Sequence, residues 1–156
     1  SSSLARRYSA ASDYPEVAMA ALEEMVRCVG GPDGDEVDGQ PRLTGGVVVR
    51  HLMLPGALED SKRVVRTIWE RFGNSVLLSL MNQYTPVLAD AAQAGDAWAQ
   101  RQLQRCPELG GRVSDGEYEE LLDYADSLGI EDYFWQQGGA AKDSFIPAFD
   151  LTGVPR

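Results

Sequence analysis

The sequence is poor in the side chains that most enzymes use for covalent and acid–base chemistry. It contains one histidine, His51, and two cysteines, Cys28 and Cys106. It has no Cys-x-x-Cys or His-x-x-x-His pair, so no motif supplies the clustered ligands that zinc needs. A Ser-His-Asp or Cys-His arrangement would have to include His51, whose apolar surroundings favour a packed or hydrogen-bonded strand histidine. The chain by itself therefore does not carry the groups of a complete enzyme.

Basic residues are also few. The 14 Lys and Arg residues are outnumbered by 24 Asp and Glu residues, and the formal net charge is −10. A protein that binds nucleic acid by neutralising phosphates needs clustered Lys and Arg, and an anionic membrane surface makes the same demand. The basic residues here are scattered along the chain, so we expect neither nucleic acid nor a membrane as a partner.

Long apolar runs are absent as well. No segment approaches the roughly 18–20 apolar residues that cross a bilayer, and the amino-terminal residues lack the apolar stretch of a secretory signal. Cys28 lies on the apolar face of a predicted helix, and we expect Cys28 and Cys106 to be buried thiols rather than a disulfide or metal pair. Unpaired thiols suit a reducing compartment, and the sequence predicts a cytoplasmic protein.

The apolar pattern predicts strands that alternate with helices. The predicted elements are a helix between Asp13 and Gly30, a surface loop or short hairpin over 32–45, a strand over 46–54, a helix over 58–72, a strand over 76–81, helical structure over 87–105 with a break at Gly95, a capped helix from Ser114 to Gly129, and a short strand over 133–136. This order is typical of right-handed parallel β-α-β units. The predicted fold class is α/β, a partial parallel (β/α) barrel fragment with few parallel strands flanked by helices, in a single domain over 1–156.

Two further expectations concern how the chain is covered. The strand over 46–54 is apolar on both faces, which is typical of a parallel strand enclosed between layers of helices. The segment 144–150 is apolar but interrupted by Pro147, so we expect it to be an extended cover over another part of the protein.

The candidate binding site lies where the parallel strands end, because ligands of such folds bind at the carboxyl ends of the strands. Arg50 lies in the first strand, and Asn82, Gln83 and Tyr84 follow the second. A charged arginine in an apolar strand needs an anion or several acceptors. One cation, an amide and a phenol suit a carboxylate or hydroxyl groups, whereas pairing of Arg50 with an internal Asp or Glu remains the alternative.

The two-residue alternation of strands gives a further expectation about this site. It places His51 on the face opposite Arg50, and it places Asn82 and Tyr84 on the face of Leu80. If the face of Arg50 and the face of Leu80 line the same barrel interior, the site offers one cation, an amide and a phenol.

Four segments resemble the radical S-adenosylmethionine activating enzymes, the family of pyruvate formate-lyase activating enzyme. The segment 49–56, VRHLMLPG, is similar to the fifth barrel strand of that family. The likeness continues, in consistent order, through 79–86, 118–129 and 144–150, so the four segments are spread over the chain from 49 to 150.

The resemblance implies a partial parallel barrel of six βα units, of which this chain is the later part. In that family, S-adenosylmethionine is cleaved reductively at a four-iron–four-sulfur cluster, and the 5′-deoxyadenosyl radical abstracts hydrogen from a glycine of a partner glycyl-radical enzyme. Arg50 matches a strand arginine near the cofactor, and Asn82, Gln83 and Tyr84 lie where the next strand meets it. The resemblance therefore implies cofactor binding by these four residues.

The chain departs from the family at the cluster. The Cys-x-x-x-Cys-x-x-Cys loop that holds the cluster is absent, so we expect no catalytic residue and no metal ligand here. The chain is predicted to be a carboxy-terminal half whose partners are the missing amino-terminal half and a glycyl-radical enzyme, with homodimerisation through an exposed sheet edge as a further possibility. The alternative is a non-catalytic module that binds a small molecule or a protein.

Overall fold

A computed structural model of the chain describes residues 1–135, apart from the side chain of Pro41. Its elements are α1 (Ser2–Ser9), α2 (Tyr14–Val29), β1 (Asp33–Val37), β2 (Gln40–Gly45), β3 (Val48–Leu52), α3 (Leu58–Phe72), a 3₁₀ turn (Gly73–Ser75), β4 (Leu77–Met81), α4 (Val87–Gln93), α5 (Ala97–Arg105), a second 3₁₀ turn (Pro107–Gly110), α6 (Asp115–Ser127) and β5 (Tyr133–Phe134). The predicted cover at 144–150 and the last residue of the predicted strand over 133–136 lie outside the described residues.

The central sheet is parallel and has the strand order β3-β4-β5. In its register Arg50 lies opposite Ser79, and β5 pairs with β4 through Tyr133 and Phe134. The prediction of an α/β fold with a small parallel sheet is confirmed, and within residues 1–135 the sheet does not close into a barrel.

The segment between α2 and β3 forms a short β-hairpin, one of the two structures that the sequence predicts for 32–45. Strands β1 and β2 pair antiparallel, with Val37 opposite Gln40 across a two-residue turn. Both turn residues, Asp38 and Gly39, have positive φ, 54° and 73°. A turn with two positive φ angles matches the twist of the strands that it joins, which is why Asp-Gly is common there.

One face of the parallel sheet is buried beneath α3 and α6. Leu78 and Leu80 of β4 are 3% and 0% exposed, and they share one core with Val65 of α3 and Leu121 of α6. The hydroxyl of Tyr118 donates a hydrogen bond to the carbonyl oxygen of Leu80 at 2.8 Å. The helix layer is therefore attached to the central strand by packing and by a buried hydrogen bond.

The opposite face of the sheet is largely open among the described residues. Val48 and Leu52 of β3 are 38% and 40% exposed, Arg50 between them is exposed, and Phe134 of β5 is 51% exposed. Among residues 1–135, helices cover β3 on one face only, so the expected second layer is not found in this part of the chain. An apolar strand pattern reports the environment that a strand requires, and here the described residues supply only one of the two layers.

Helix α2 carries more apolar surface than the core uses. Leu22 is buried and Val26 packs against the core, whereas a second stripe remains exposed. That stripe consists of Tyr14, Val17, Met25 and Val29. Cys28 lies on the same exposed side, so its predicted burial was wrong, whereas the predicted burial of Cys106 is confirmed.

No helix among residues 1–135 combines the length and the apolar character that crossing a membrane requires.

Gly46 is the position where the backbone itself requires glycine. Its φ is 108°, and a Cβ atom there would lie 2.6 Å from the Cα of Pro32. We expect Gly46→Ala to lower the free energy of unfolding by about 2–4 kcal/mol, because backbone would have to move and a positive φ would be forced on alanine. Urea denaturation measures the change.

The matched control for this prediction is Gly116→Ala. Gly116 lies in the first turn of α6 with no heavy atom within 4 Å of the added carbon, so alanine should leave stability unchanged or raise it slightly. Equal stability of the Gly46→Ala variant and the parent would contradict the close approach of Gly46 to Pro32.

Candidate functional site

The candidate site is the edge of the sheet where β3 and β4 end. The backbone N–H of Met53 donates to the carbonyl oxygen of Met81 at 2.8 Å, so the two strands stay paired one residue beyond the regular ladder. The chain then diverges into two loops, one over 54–57 and one over 82–86. Parallel strands end at the same edge, so both loops face the same region, as ligand sites of such folds require.

Arg50 is the cation of this region, and it is exposed on the open face of the sheet. Within residues 1–135, no ion pair or hydrogen bond of its side chain is found. The described carboxylates therefore do not supply the internal partner that the sequence left as an alternative. Exposure also removes the cost that burial of an unpaired charge would carry, so its guanidinium is available to an anion.

The register places Arg50 and Leu80 on opposite faces of the sheet, so the condition that their faces line one interior is not met. Arg50 lies opposite Ser79, and His51 lies opposite Leu80. Paired residues of neighbouring strands share a face, so Arg50 belongs to the open face, and Leu80 and His51 belong to the covered face. Alternation within each strand gives two faces, but it does not give the register that decides which faces coincide.

Asn82 is the most distinctive polar residue of this edge. Its side chain is only 5% exposed, and its Oδ1 atom, closed to solvent, has no hydrogen-bond partner in the described part of the chain. Leaving a buried acceptor unpaired costs about 1–3 kcal/mol, so such atoms are rare and frequently mark functional sites. Gln83, the next residue, is half-buried.

The hydroxyl of Tyr84 has a hydrogen-bond partner within the protein. Its hydroxyl donates a 2.8 Å hydrogen bond to the carbonyl oxygen of Leu109, in the 3₁₀ turn Pro107–Gly110. Its ring packs against the core, and burial raises the pKa of the hydroxyl above its ordinary value. Tyr84 thus holds the turn beside the site, and its hydroxyl already has a partner.

The sequence gives no sign that α1 contributes to this edge. The hydroxyl of Tyr8 donates to Oε1 of Glu108 at 2.8 Å, and Nη2 of Arg7 donates to the carbonyl oxygen of Arg105 at 3.0 Å. Burial and the hydrogen bond to Glu108 raise the pKa of Tyr8 to about 12. Because these residues are about a hundred positions apart, no local pattern links them.

Glu108 joins this contact to the loop after β3. It lies against Gly56, where an added Cβ would be 3.5 Å from the Cβ of Glu108. The 3₁₀ turn is therefore fixed on one side by α1 and on the other by Tyr84, and it forms a wall beside the ends of both strands.

His51, the sole histidine, lies on the covered face rather than in the candidate site. Its Nε2 atom is closed to solvent and has no hydrogen-bond partner within residues 1–135. Burial lowers the pKa of the imidazole below its ordinary value, and the nearby charge of Asp60 opposes that shift. His51 therefore acts as a neutral packing residue, and it is not adjacent to Arg50 on the open face.

Comparison of the chain with models of protein families, with curated proteins and with solved structures gives no match. Among the described residues, no group of three or more His, Cys, Asp or Glu side chains could hold a metal ion. The edge therefore carries an exposed cation, a buried amide oxygen without a hydrogen-bond partner among residues 1–135, and a wall held by α1 and Tyr84.

His51 generates a prediction about acid stability. Because its pKa is lower in the folded state, the unfolded chain takes up the proton first, and the free energy of unfolding falls as pH decreases from about 7 to 5. The contribution of neutral His51 to the free energy of unfolding is fully present above the ordinary histidine pKa of 6.5. We expect urea denaturation across this range to show a pH dependence that is smaller in His51→Leu, and identical slopes would contradict the burial of a neutral imidazole.

Asn82 generates a prediction in which a site variant gains stability. Leucine has a similar shape and no unpaired acceptor, so Asn82→Leu should raise the free energy of unfolding by about 1–2 kcal/mol. Gln104→Leu, an exposed position on α5, is the control, and it should change stability by less than about 0.5 kcal/mol. A loss of stability in Asn82→Leu would show that the amide has a structural partner.

Proposed function

We propose that this chain forms the later part of a partial parallel barrel of the radical S-adenosylmethionine activating enzyme kind, in which it contributes part of the cofactor and substrate pocket. The observation that carries the proposal is the asymmetry of the sheet. Helices cover the face of Leu78 and Leu80, whereas within residues 1–135 the opposite face is open and carries Arg50. In a (β/α) barrel, helices lie outside, and the inner face is completed by side chains from the other strands.

Three surfaces support a missing amino-terminal half as the first partner. Among the strands of residues 1–135, β3 is paired on one side only, so its other edge could accept a further strand. The sheet face of Val48 and Leu52 is apolar and exposed, and α2, which precedes β3, has an uncovered apolar stripe. Earlier βα units of a barrel would cover all three, and pairing of two copies through β3 is the alternative that these surfaces allow.

Arg50 and Asn82 fit S-adenosylmethionine as binding groups. The guanidinium of Arg50 suits the carboxylate of the methionine moiety, since arginine matches a carboxylate in a bidentate geometry. Ser79, the residue opposite Arg50, adds a hydroxyl group to the open face, and Asn82 follows β4 at the end of the sheet. Gln83 and Tyr84 extend this wall, Tyr84 by holding the 3₁₀ turn in place. In this proposal the chain's residues bind and orient the cofactor.

The iron–sulfur cluster does not fit the described residues. Cys28 is exposed on α2, and Cys106 is buried beside the 3₁₀ turn, with its Sγ 3.9 Å from the carbonyl oxygen of Arg7. A four-iron–four-sulfur cluster requires convergent thiolates, so its ligands belong to the missing half in this proposal. When bound together, the cluster and S-adenosylmethionine would supply the radical that acts on a glycyl-radical enzyme, and a reducing compartment such as the cytoplasm suits that chemistry.

The second candidate is a non-catalytic binding module for a small anionic molecule or a protein. The observation that favours it is the absence of a carboxylate partner for Arg50 among residues 1–135, which leaves a cation available whatever precedes the chain.

The test uses the protein encoded by the whole reading frame that contains this chain. We expect an upstream Cys-x-x-x-Cys-x-x-Cys motif, and we expect S-adenosylmethionine to bind in isothermal titration calorimetry. Arg50→Gln should weaken binding roughly 10- to 100-fold, since a hydrogen bond to a charged group contributes about 1.5–3 kcal/mol. The control is Arg42→Gln, at an exposed position of the hairpin, which should leave affinity unchanged.

Two results would reject the proposal. One is a reading frame without the cysteine motif, which leaves the binding module as the remaining candidate. The other is equal affinity of the Arg50→Gln variant and the parent for S-adenosylmethionine, which removes Arg50 from the cofactor site.

A further inference from the structure

A second concave site lies at the amino ends of the strands, at the end of the sheet opposite Asn82. It is a cavity of about 110 Å³ between the end of α3 and the beginnings of β4 and β5. Its walls are apolar and include Ile68, Trp69, Val76 and Ile130, and its rim carries Asn74 and Asp132. The cavity is independent of the function proposed above because it shares no residue with that site.

The size of the cavity limits what it can hold. Pockets for drug-sized ligands measure roughly 300–1,000 Å³, and a cavity of roughly 150 Å³ accepts one benzene molecule. A volume of about 110 Å³ therefore suits a short chain of about five non-hydrogen atoms, such as one aliphatic side chain.

The negative charge at the rim of the cavity favours a positively charged ligand. Asp132 is exposed, and no ion pair within residues 1–135 uses its carboxylate. Helix α3 ends at Phe72 beside the cavity, and the carboxyl end of a helix carries partial negative charge. Trp69 offers an aromatic ring to a cation, and none of the described lining residues is basic. Apolar walls with a negative rim match a cation on a short apolar chain.

We propose that this cavity binds an alkylammonium group, with the alkyl chain between Ile68 and Ile130 and the ammonium at Asp132 and the end of α3. The same chemistry belongs to a lysine side chain of a partner protein and to a free small amine. The site would thus recognise a cationic group on a short apolar chain, at the end of the domain that is remote from Arg50.

The test titrates n-butylammonium into the full chain and follows the Trp69 indole and the Ile130 amide by NMR. We expect saturable shifts with a Kd on the order of 1–10 mM, and butanol, the neutral analogue, should bind about fivefold or more weakly. Asp132→Asn should weaken n-butylammonium about two- to fivefold without changing the affinity for butanol. Glu131→Gln, at the exposed neighbouring position that does not line the cavity, is the control and should change neither.

Comparison with Nα-acetyl-lysine amide distinguishes the two sources. Binding as tight as that of n-butylammonium assigns the site to a protein lysine, and weaker binding assigns it to a free amine. Equal binding of n-butylammonium and butanol, or no shift at Trp69 and Ile130 up to about 50 mM ligand, overturns the proposal.

Discussion

The rest of the structure depends on the burial of one face of β4 against two helices. Leu80 is fully buried, and α6 contributes both the packing of Leu121 and the hydrogen bond from Tyr118 to the strand's backbone. A parallel strand needs a crossover helix to reach its neighbour, so α3 lies on this face because it connects β3 to β4. With one face of β4 packed against the helices, the register of the sheet determines where β3 and β5 lie. It thereby also determines the position of the edge that carries the candidate site.

The same constraint produces the open face. A right-handed crossover places each successive helix on the same side of the sheet when the strands are added in sequence order, as β3, β4 and β5 are. An open sheet built in this way must cover its other face with another layer or close into a barrel. The apolar residues Val48, Leu52 and Phe134 show that the sequence of this face is suited to being covered.

The sequence predicted the elements well and the contacts between them poorly. The helices from Tyr14, Leu58 and Asp115 were predictable because each has a local stop or start signal, such as Gly30 or the capping box of Ser114 and Glu117. The short helix α1 was not predicted, because its stability comes from contacts with Glu108 and Arg105 far along the chain. The predicted burial of Cys28 failed because α2 has two apolar stripes, and periodicity does not say which of them the core takes.

For the candidate site, the sequence identifies polar residues at the strand ends but not the hydrogen bonds that distinguish them. Arg50, Asn82 and Tyr84 were chosen because polar groups follow or interrupt apolar strands, and the structure separates them by their hydrogen bonds. Tyr84 has a partner in Leu109, so its polar group is used within the protein. The guanidinium of Arg50 and the Oδ1 atom of Asn82 have no hydrogen-bond partner among residues 1–135. Arg50 is exposed on the open face, whereas Asn82 is only 5% exposed. An unpaired polar group is costly only when it is buried, so of the two residues it is Asn82 that lowers the stability of the free protein. Because its Oδ1 atom is closed to solvent, a ligand that donates a hydrogen bond to Asn82 would have to open this edge as it binds, and the new hydrogen bond would then remove that cost.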